Sequence, residues 1–248
     1  MPIFYRANSI RWLIFMNNVL ARRFFYSPEN STRRESILIN KLLFDLQLAY
    51  AMQGYYLKSY RTDVDDNGYD LVLDSEDISR KIQVKSTMVD AATKAWDIAK
   101  GVLRPELLQM SKHSMWSNLS AGISGGVILQ EVTLKDDNID LNYYYSDLVI
   151  ISLYCFGIIG NKTNKKSAFK VIRELHDENF HDKVKLSKSC FLRLKSPSAL
   201  LELMGFTSSR MHWSIIHKLE CINKPRTDST PYDIYKAQIV QLIDSVKY

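Results

Sequence analysis

The sequence predicts an α/β fold with a mostly helical C-terminal extension. Three observations carry this expectation. Residues 35–54, ESILINKLLFDLQLAYAMQG, place apolar residues at helical spacing. Residues 68–87, GYDLVLDSEDISRKIQVKST, alternate like a β-hairpin. Residues 146–160, SDLVIISLYCFGIIG, form a continuous apolar run, as expected of a strand buried on both faces.

The 248 residues are 46% hydrophobic and 24% charged, a globular balance that permits one large domain or a core with an appendage. Cys155, Cys190 and Cys221 make neither a CxxC pair nor an even set, so a disulfide framework and a zinc cluster are not expected. That cysteine usage fits a reducing, cytoplasmic setting. No run of about 18 apolar residues predicts a membrane span. The formal net charge of +6 is uneven: residues 1–34 carry +5, 35–160 carry −6, 161–195 carry +6 and the remainder +1. A net-acidic middle between basic segments is the distribution of a metal-dependent enzyme acting on a polyanion; a solvated surface gives the same numbers. The chain divides into a basic arm over 1–31, a core over 32–160, and a basic, mostly helical region over 161–248.

The apolar run from Trp12 to Met16 is broken by Asn17 and Asn18 and followed by Arg22 and Arg23, which predicts an amphipathic helix or loose arm, not a signal peptide. Ser27 to Arg34 reads as a polar linker. Thr32 and Glu35 have capping-box spacing and open a largely buried helix carrying Ile37, Leu38, Leu42, Phe44, Leu46 and Leu48, which ends at Gly54. YYLKSYRTDV predicts a strand, Asp65 to Gly68 a turn, and the hairpin follows. AATKAWDIAKGVLRPELLQM predicts a helix broken before Pro105. GVILQEVTL and IDLNYYY predict strands, followed by the apolar strand at 146–160. Beyond Gly160, NKTNKK reads as a basic loop, and SAFKVIRELHDENF, PSALLELM, RMHWSIIHKLE and a closing helix capped by Thr230 complete the chain.

The hairpin carries the chemistry. Asp70, Val72 and Asp74 share one face of the first strand, and Gln83, Lys85 and Thr87 share one face of the second. Opposed residues of an antiparallel pair lie on the same side of the sheet. Pairing Asp70 with either Gln83 or Lys85 puts the turn within Ser75–Ile78, so an acid, an amide and a lysine converge.

An Asp followed on the next strand by Glu/Asp-x-Lys resembles the PD-(D/E)xK nuclease superfamily. Here the pattern is Asp70, then Gln83-Val84-Lys85. GYD and IQVKST are similar to its Gln-containing branch, which includes Mrr-type restriction nucleases and relatives of Holliday-junction resolvases. The resemblance covers about residues 32–160 and implies a restriction-endonuclease-like αβββαβ core with a mixed sheet. It implies a metal-dependent DNA endonuclease, in restriction or phage defence, often acting as a homodimer and open to a partner subunit. In that reading Asp70, Gln83 and Glu35 hold Mg²⁺ or Mn²⁺, and Lys85 orients water or neutralises phosphate. Gln83 supplies only a neutral oxygen, and Glu35 would restore the missing charge.

Each residue has a plainer reading beside this one. Glu35 can be the capping partner of Thr32, Asp70 a turn residue, and Gln83 with Lys85 the wet face of an edge strand. Ser86 and Thr87 can contact phosphate or simply end the strand. Weaker nucleic-acid contacts are Lys162, Lys165, Lys166 and Arg210. Arg210 would face DNA with His212 and Lys218 if residues 197–220 form a helix-turn-helix. Tyr143, Tyr144 and Tyr145 can stack on bases or pack a sheet. Two other functions fit the same site: a nucleic-acid-binding module with a degenerate nuclease fold, and a nuclease selective for junctions or RNA.

Overall fold

The computed structural model describes residues 19–61, 68–76, 78–103, 125–135, 138–176, 182–207, 210–223 and 232–248. Residues 19–26 are helical (α1), and a single turn at Pro28–Asn30 leads straight into α2, Ser31–Ala51. The strands β1 (Lys58–Arg61), β2 (Leu71–Ser75) and β3 (Ile78–Met88) form an antiparallel meander. Then come β4 (Ala95–Ala99) and the short α3 (Lys100–Leu103). β5 (Gly125–Lys135) lies parallel to β3, and β6 (Asn138–Ser146) returns antiparallel to β5. The sheet is mixed and six-stranded, in the order β1-β2-β3-β5-β6-β8, with β8 at Leu192–Arg193. The remaining elements are α4 (Leu148–Phe156), α5 (Lys162–His176), β7 (Lys183–Ser187), α6 (Pro197–Met204), α7 (Met211–Asn223) and α8 (Tyr232–Val246). Thr230, expected to cap the last helix, lies outside the described residues, as does Asp65 of the expected turn.

Alternation assigns the two faces of the sheet. Leu71 and Leu73 of β2, Arg80 and Ile82 of β3, Ile128 and Gln130 of β5 and Tyr143 and Tyr145 of β6 face α2 and α6. Gln130 Nε2 donates to Leu38 O of α2 at 2.9 Å, and Arg80 Nε donates to Met204 O of α6 at 2.9 Å. The opposite face, with Leu129, Glu131 and Tyr144, is covered by α4, α5 and the β4-β7 ribbon. Buried residues from Ile39 to Val246 join in one apolar cluster. Within it the chain beyond residue 160 adds β7 to β4 and β8 to β6.

Several expectations are corrected. The apolar run at 146–160 is a helix, α4, and not a strand. Asp147 caps it by accepting the Ile150 N–H at 2.8 Å, and Gly157, at φ 67°, ends it. Length and apolarity do not distinguish a buried strand from a buried helix; the cap does. Ala95–Ala99, expected in a helix, forms β4 because it pairs with β7, a partner about ninety residues away. Ser27 to Arg34 is no linker: it holds the 28–30 turn and the first turn of α2. The Thr32–Glu35 capping box is absent, because Asn30 is the N-cap residue and its side chain makes no cap bond. On α2, Leu38, Leu42 and Leu46 are buried, while Ile37, Phe44 and Leu48 stand exposed on the outer face. The 161–166 segment is not a loop either. The Asn161 side chain accepts from the Thr163 and Asn164 N–H groups and starts α5 there.

Candidate active site

β2 selects one of the two registers the sequence allowed. The ladder begins at Leu71↔Ile82, the register that carries Asp70 towards Gln83, and just before it the Asp70 N–H donates to Ile82 O at 2.9 Å. β2 begins at Leu71, whereas β3 runs on to Met88. From Val84 onwards β3 therefore has β5 on one side and, among the described residues, no strand on the other. The Asp70 carboxylate closes the first position of that edge: Oδ2 accepts the Val84 N–H at 2.6 Å. A carboxylate is thus fixed on the peptide between Gln83 and Lys85. By strand alternation the N–H of Ser86 points to the same edge as that of Val84.

The first turns of α2 run beside this edge. Glu35, Leu38 and Ile39 of α2, Val84, Lys85 and Ser86 of β3, and Gln130 of β5 line a cleft of about 190 Å³. Glu35 is exposed and Lys85 half-buried, so both are within reach of solvent and of a ligand. The structure brings Glu35 and Lys85 into one cleft and sets the Asp70 carboxylate against its wall at Val84.

Gln83 behaves differently from the expectation of an open metal ligand. It is buried, and its Oε1 accepts the Ala99 N–H at 3.1 Å. One lone pair of the amide oxygen is thereby committed to holding the end of β4 beside the hairpin. Gly68 lies against the same corner. Its φ is 72°, and a Cβ there would fall 2.1 Å from the Ala99 Cβ.

All the candidate donors are hard oxygens: the Asp70 and Glu35 carboxylates and the remaining lone pair of Gln83. Among the described residues no three His, Cys, Asp or Glu side chains gather into a group able to hold a metal. Mg²⁺ takes hard oxygens of this kind, with one or two carboxylates and its other positions left to water and phosphate oxygens.

The other expected contacts lie elsewhere. Thr87 follows Lys85 on the same face of β3, opposite Glu131, and its Oγ1 donates to Met88 O at 3.4 Å. Glu131 is held there by Lys188 and by the Tyr144 hydroxyl at 2.9 Å. These bonds keep the Glu131 carboxyl below its ordinary range although burial pushes it up. Lys162, Lys165 and Lys166 lie at the start of α5 and do not line the cleft. Arg210 borders a different cleft, at the far end of α2. His212, expected to face DNA, is buried to 1%. Its Nδ1 lies 3.2 Å from Leu203 O, and because a carbonyl only accepts, that nitrogen carries the proton. Lys218 donates to Ser214 Oγ on its own helix at 2.8 Å. The three tyrosines of β6 are buried and committed: Tyr143 donates to Asp45 at 2.5 Å, Tyr144 to Glu131, and Tyr145 to Asp147 at 3.1 Å. They pack and brace the sheet.

Sequence reasoning missed Gln130, whose place in the cleft comes from the β3–β5 pairing alone. Ser86 lies on the opposite face of β3 from Lys85 by alternation, yet both line one cleft. Among the described residues no helix is long and apolar enough to cross a membrane. Compared with protein-family models, curated proteins and solved structures, the chain matches none.

Proposed function

We propose that the protein is a metal-dependent endonuclease that hydrolyses phosphodiester bonds in DNA, with its site at the β3 edge. The observation that carries this reading is the Asp70 carboxylate fixed on the Val84 N–H, between Gln83 and Lys85, with Glu35 across the adjoining cleft. The order of elements also supports it. Apart from β4, which pairs with β7 outside the main sheet, a helix, a three-strand meander, a short helix and a strand parallel to the third follow the αβββαβ order of the family that the motif resembles.

Asp70 and Glu35 would hold the cation, with the spare lone pair of Gln83 completing the set. A bound divalent cation supplies positive charge against the phosphate and makes water more acidic. Lys85, at the cleft wall, offers an ammonium to a non-bridging phosphate oxygen and orients the attacking water. The water oxygen gives up a proton to solvent as it bonds to phosphorus, the bond from phosphorus to the leaving sugar oxygen breaks, and that oxygen takes a proton from solvent. The Ser86 N–H, which points to the same side of β3 as that of Val84, would donate to the phosphate as well. Cutting both strands in one encounter takes two copies, so the working unit in this reading is a homodimer.

The test is plasmid DNA incubated with Mg²⁺, Mn²⁺ or EDTA, beside Lys85→Ala. Cutting with metal, absent in EDTA and reduced by about 100-fold or more in the variant, is the expected result. Equal cutting by both proteins would refute the site. A second reading, a binding module with a degenerate nuclease site, is favoured by the Gln83–Ala99 bond, which uses part of the donor set structurally. It predicts DNA binding with no metal-dependent cutting by either protein.

A further inference from the structure

A second and larger cleft lies away from the proposed site. It has a volume of about 990 Å³ and opens where the C-terminal end of α2 meets the α6–α7 connection. Glu35 near the start of α2 and Tyr50 near its end are about 22 Å apart at 1.5 Å per helical residue. The two clefts therefore share no ligand group, and binding in the larger one does not depend on nuclease chemistry in the other.

We propose that this cleft binds an unpaired base of a single-stranded nucleic acid. Its floor is fixed. Tyr50 is buried and donates its hydroxyl to Phe206 O at 2.8 Å, which ties α2 to the α6–α7 connection. Tyr55 stacks on Tyr50 with ring centroids 5.2 Å apart and planes at 28°. Two exposed aromatic side chains line the same cleft: Tyr56 is 76% exposed and Trp213 48%. Large aromatic rings left in water on a rigid base are stacking platforms, and every nucleobase has a face to stack.

The charges fit the same ligand. Lys58 and Arg210 line the cleft against one acid among the described residues, Glu76. Two cations beside stacking rings suit a base with its flanking phosphates, and a carboxylate can accept from an exocyclic amine. Arg210 also has a backbone that its residue type does not favour. At φ 47° it is the only non-glycine residue with positive φ among the described residues. Its N–H bonds to Thr207 O and its carbonyl receives the Ser214 N–H, so the turn fixes the arginine at the mouth of the cleft as α7 begins. Asparagine or glycine would relax that conformation, and an arginine there points to a use for its charge.

The test is fluorescence anisotropy of a labelled oligothymidylate of about 12 nucleotides, in EDTA so that nothing is cut. The blunt duplex of the same length and thymidine monophosphate are competitors. The proposal expects the single strand to bind more tightly than either competitor. Trp213→Ala and Tyr56→Ala should each weaken it by about 5- to 150-fold. Arg210→Asn, which suits the backbone, should lower the slope of log affinity on log salt by about 0.7. All three side chains are exposed or at the rim, and unchanged thermal melts would separate lost binding from lost folding. Binding of the single strand that none of the variants weakens would overturn the proposal, and so would duplex binding of equal strength. Monophosphate binding as tight as the oligonucleotide would replace the strand with a free nucleotide. No binding at all would end it.

Discussion

Lowering the pH should destabilise this fold through one histidine. His212 sits on α7 with 1% of its surface exposed, beside Arg80 and Asp147. Burial, reinforced by the Arg80 charge, brings its imidazole down to about 3 from an ordinary value of 6.5. It is therefore neutral in the fold, and its 3.6 Å approach to Asp147 is not an ion pair. The unfolded chain takes up a proton below about pH 6.5 that the folded chain refuses. Stability is complete above that pH and falls as the pH drops towards the folded value of about 3. At about pH 5 the loss is roughly 2 kcal/mol. With a urea slope of about 3 kcal/mol/M, the midpoint should fall by roughly 0.7 M between about pH 7 and pH 5. Asp147 opposes this. Its carboxyl is raised by burial, partly offset by the Ile150 N–H and Arg80, so acid relieves part of its cost. That contribution remains in both arms when wild type is compared with His212→Leu. The variant should lose most of the fall between the two pH values, whatever its absolute stability. An equal drop in both proteins would refute the argument, as would a His212 ring resonance that titrates near its ordinary value of 6.5.

Asp147→Ala should cost about 4 kcal/mol or more, read as a urea midpoint, because it removes the cap of α4 and leaves Arg80 buried without its counter-charge. Adding Arg80→Met should recover a part of that loss, and a strictly additive double variant would show that the two charges do not interact. Gln83→Glu should sharpen the response to metal: a second acid beside Asp70 is unfavourable without a cation, so Mg²⁺ should raise its melting temperature more than that of wild type. Identical shifts in the two proteins would argue against a cation at this edge.

The hairpin is readable from sequence because its signals are local. Polar residues at Ser75–Ile78 mark the turn, and alternation puts Asp70, Gln83 and Lys85 on one face. What escapes a local reading depends on distant partners. Ala95–Ala99 becomes a strand only because Lys183–Ser187 lies beside it, and Gln83 turns to that same segment through Ala99. For α4 the signals are local but easily outweighed: Asp147 and Gly157 are a start and a stop around an apolar run of ambiguous period. The aromatic cleft shows half of itself in the sequence. GYYLK sets two tyrosines before a lysine, but Trp213 and Arg210 come from about 150 residues further on.

Two polar clusters in this chain compete for a functional reading, and physical accessibility decides between them. Asp147, His212 and Tyr145 gather around Arg80, and burial displaces the titration of all three. Perturbed titration is a common mark of an active site. Here, however, Arg80, Asp147, Tyr145 and His212 are each at most 1% exposed. A substrate reaching them would have to displace α6 and α7. Their bonds run to Met204 O, Leu203 O and the Ile150 N–H, which tie α6, α7 and α4 to the sheet. This cluster is a brace, and its shifts are the cost of enclosing charge. At the β3 edge the geometry is the reverse. Glu35 is exposed and Lys85 half-buried, and the Asp70 carboxylate is fixed by a backbone N–H at the point where a neighbouring strand stops. A strand edge that no described strand pairs, beside an acid and a lysine, offers oriented N–H donors, negative charge for a cation and positive charge for a phosphate. The proposed chemistry therefore fits the edge, where a ligand can arrive, better than the buried cluster.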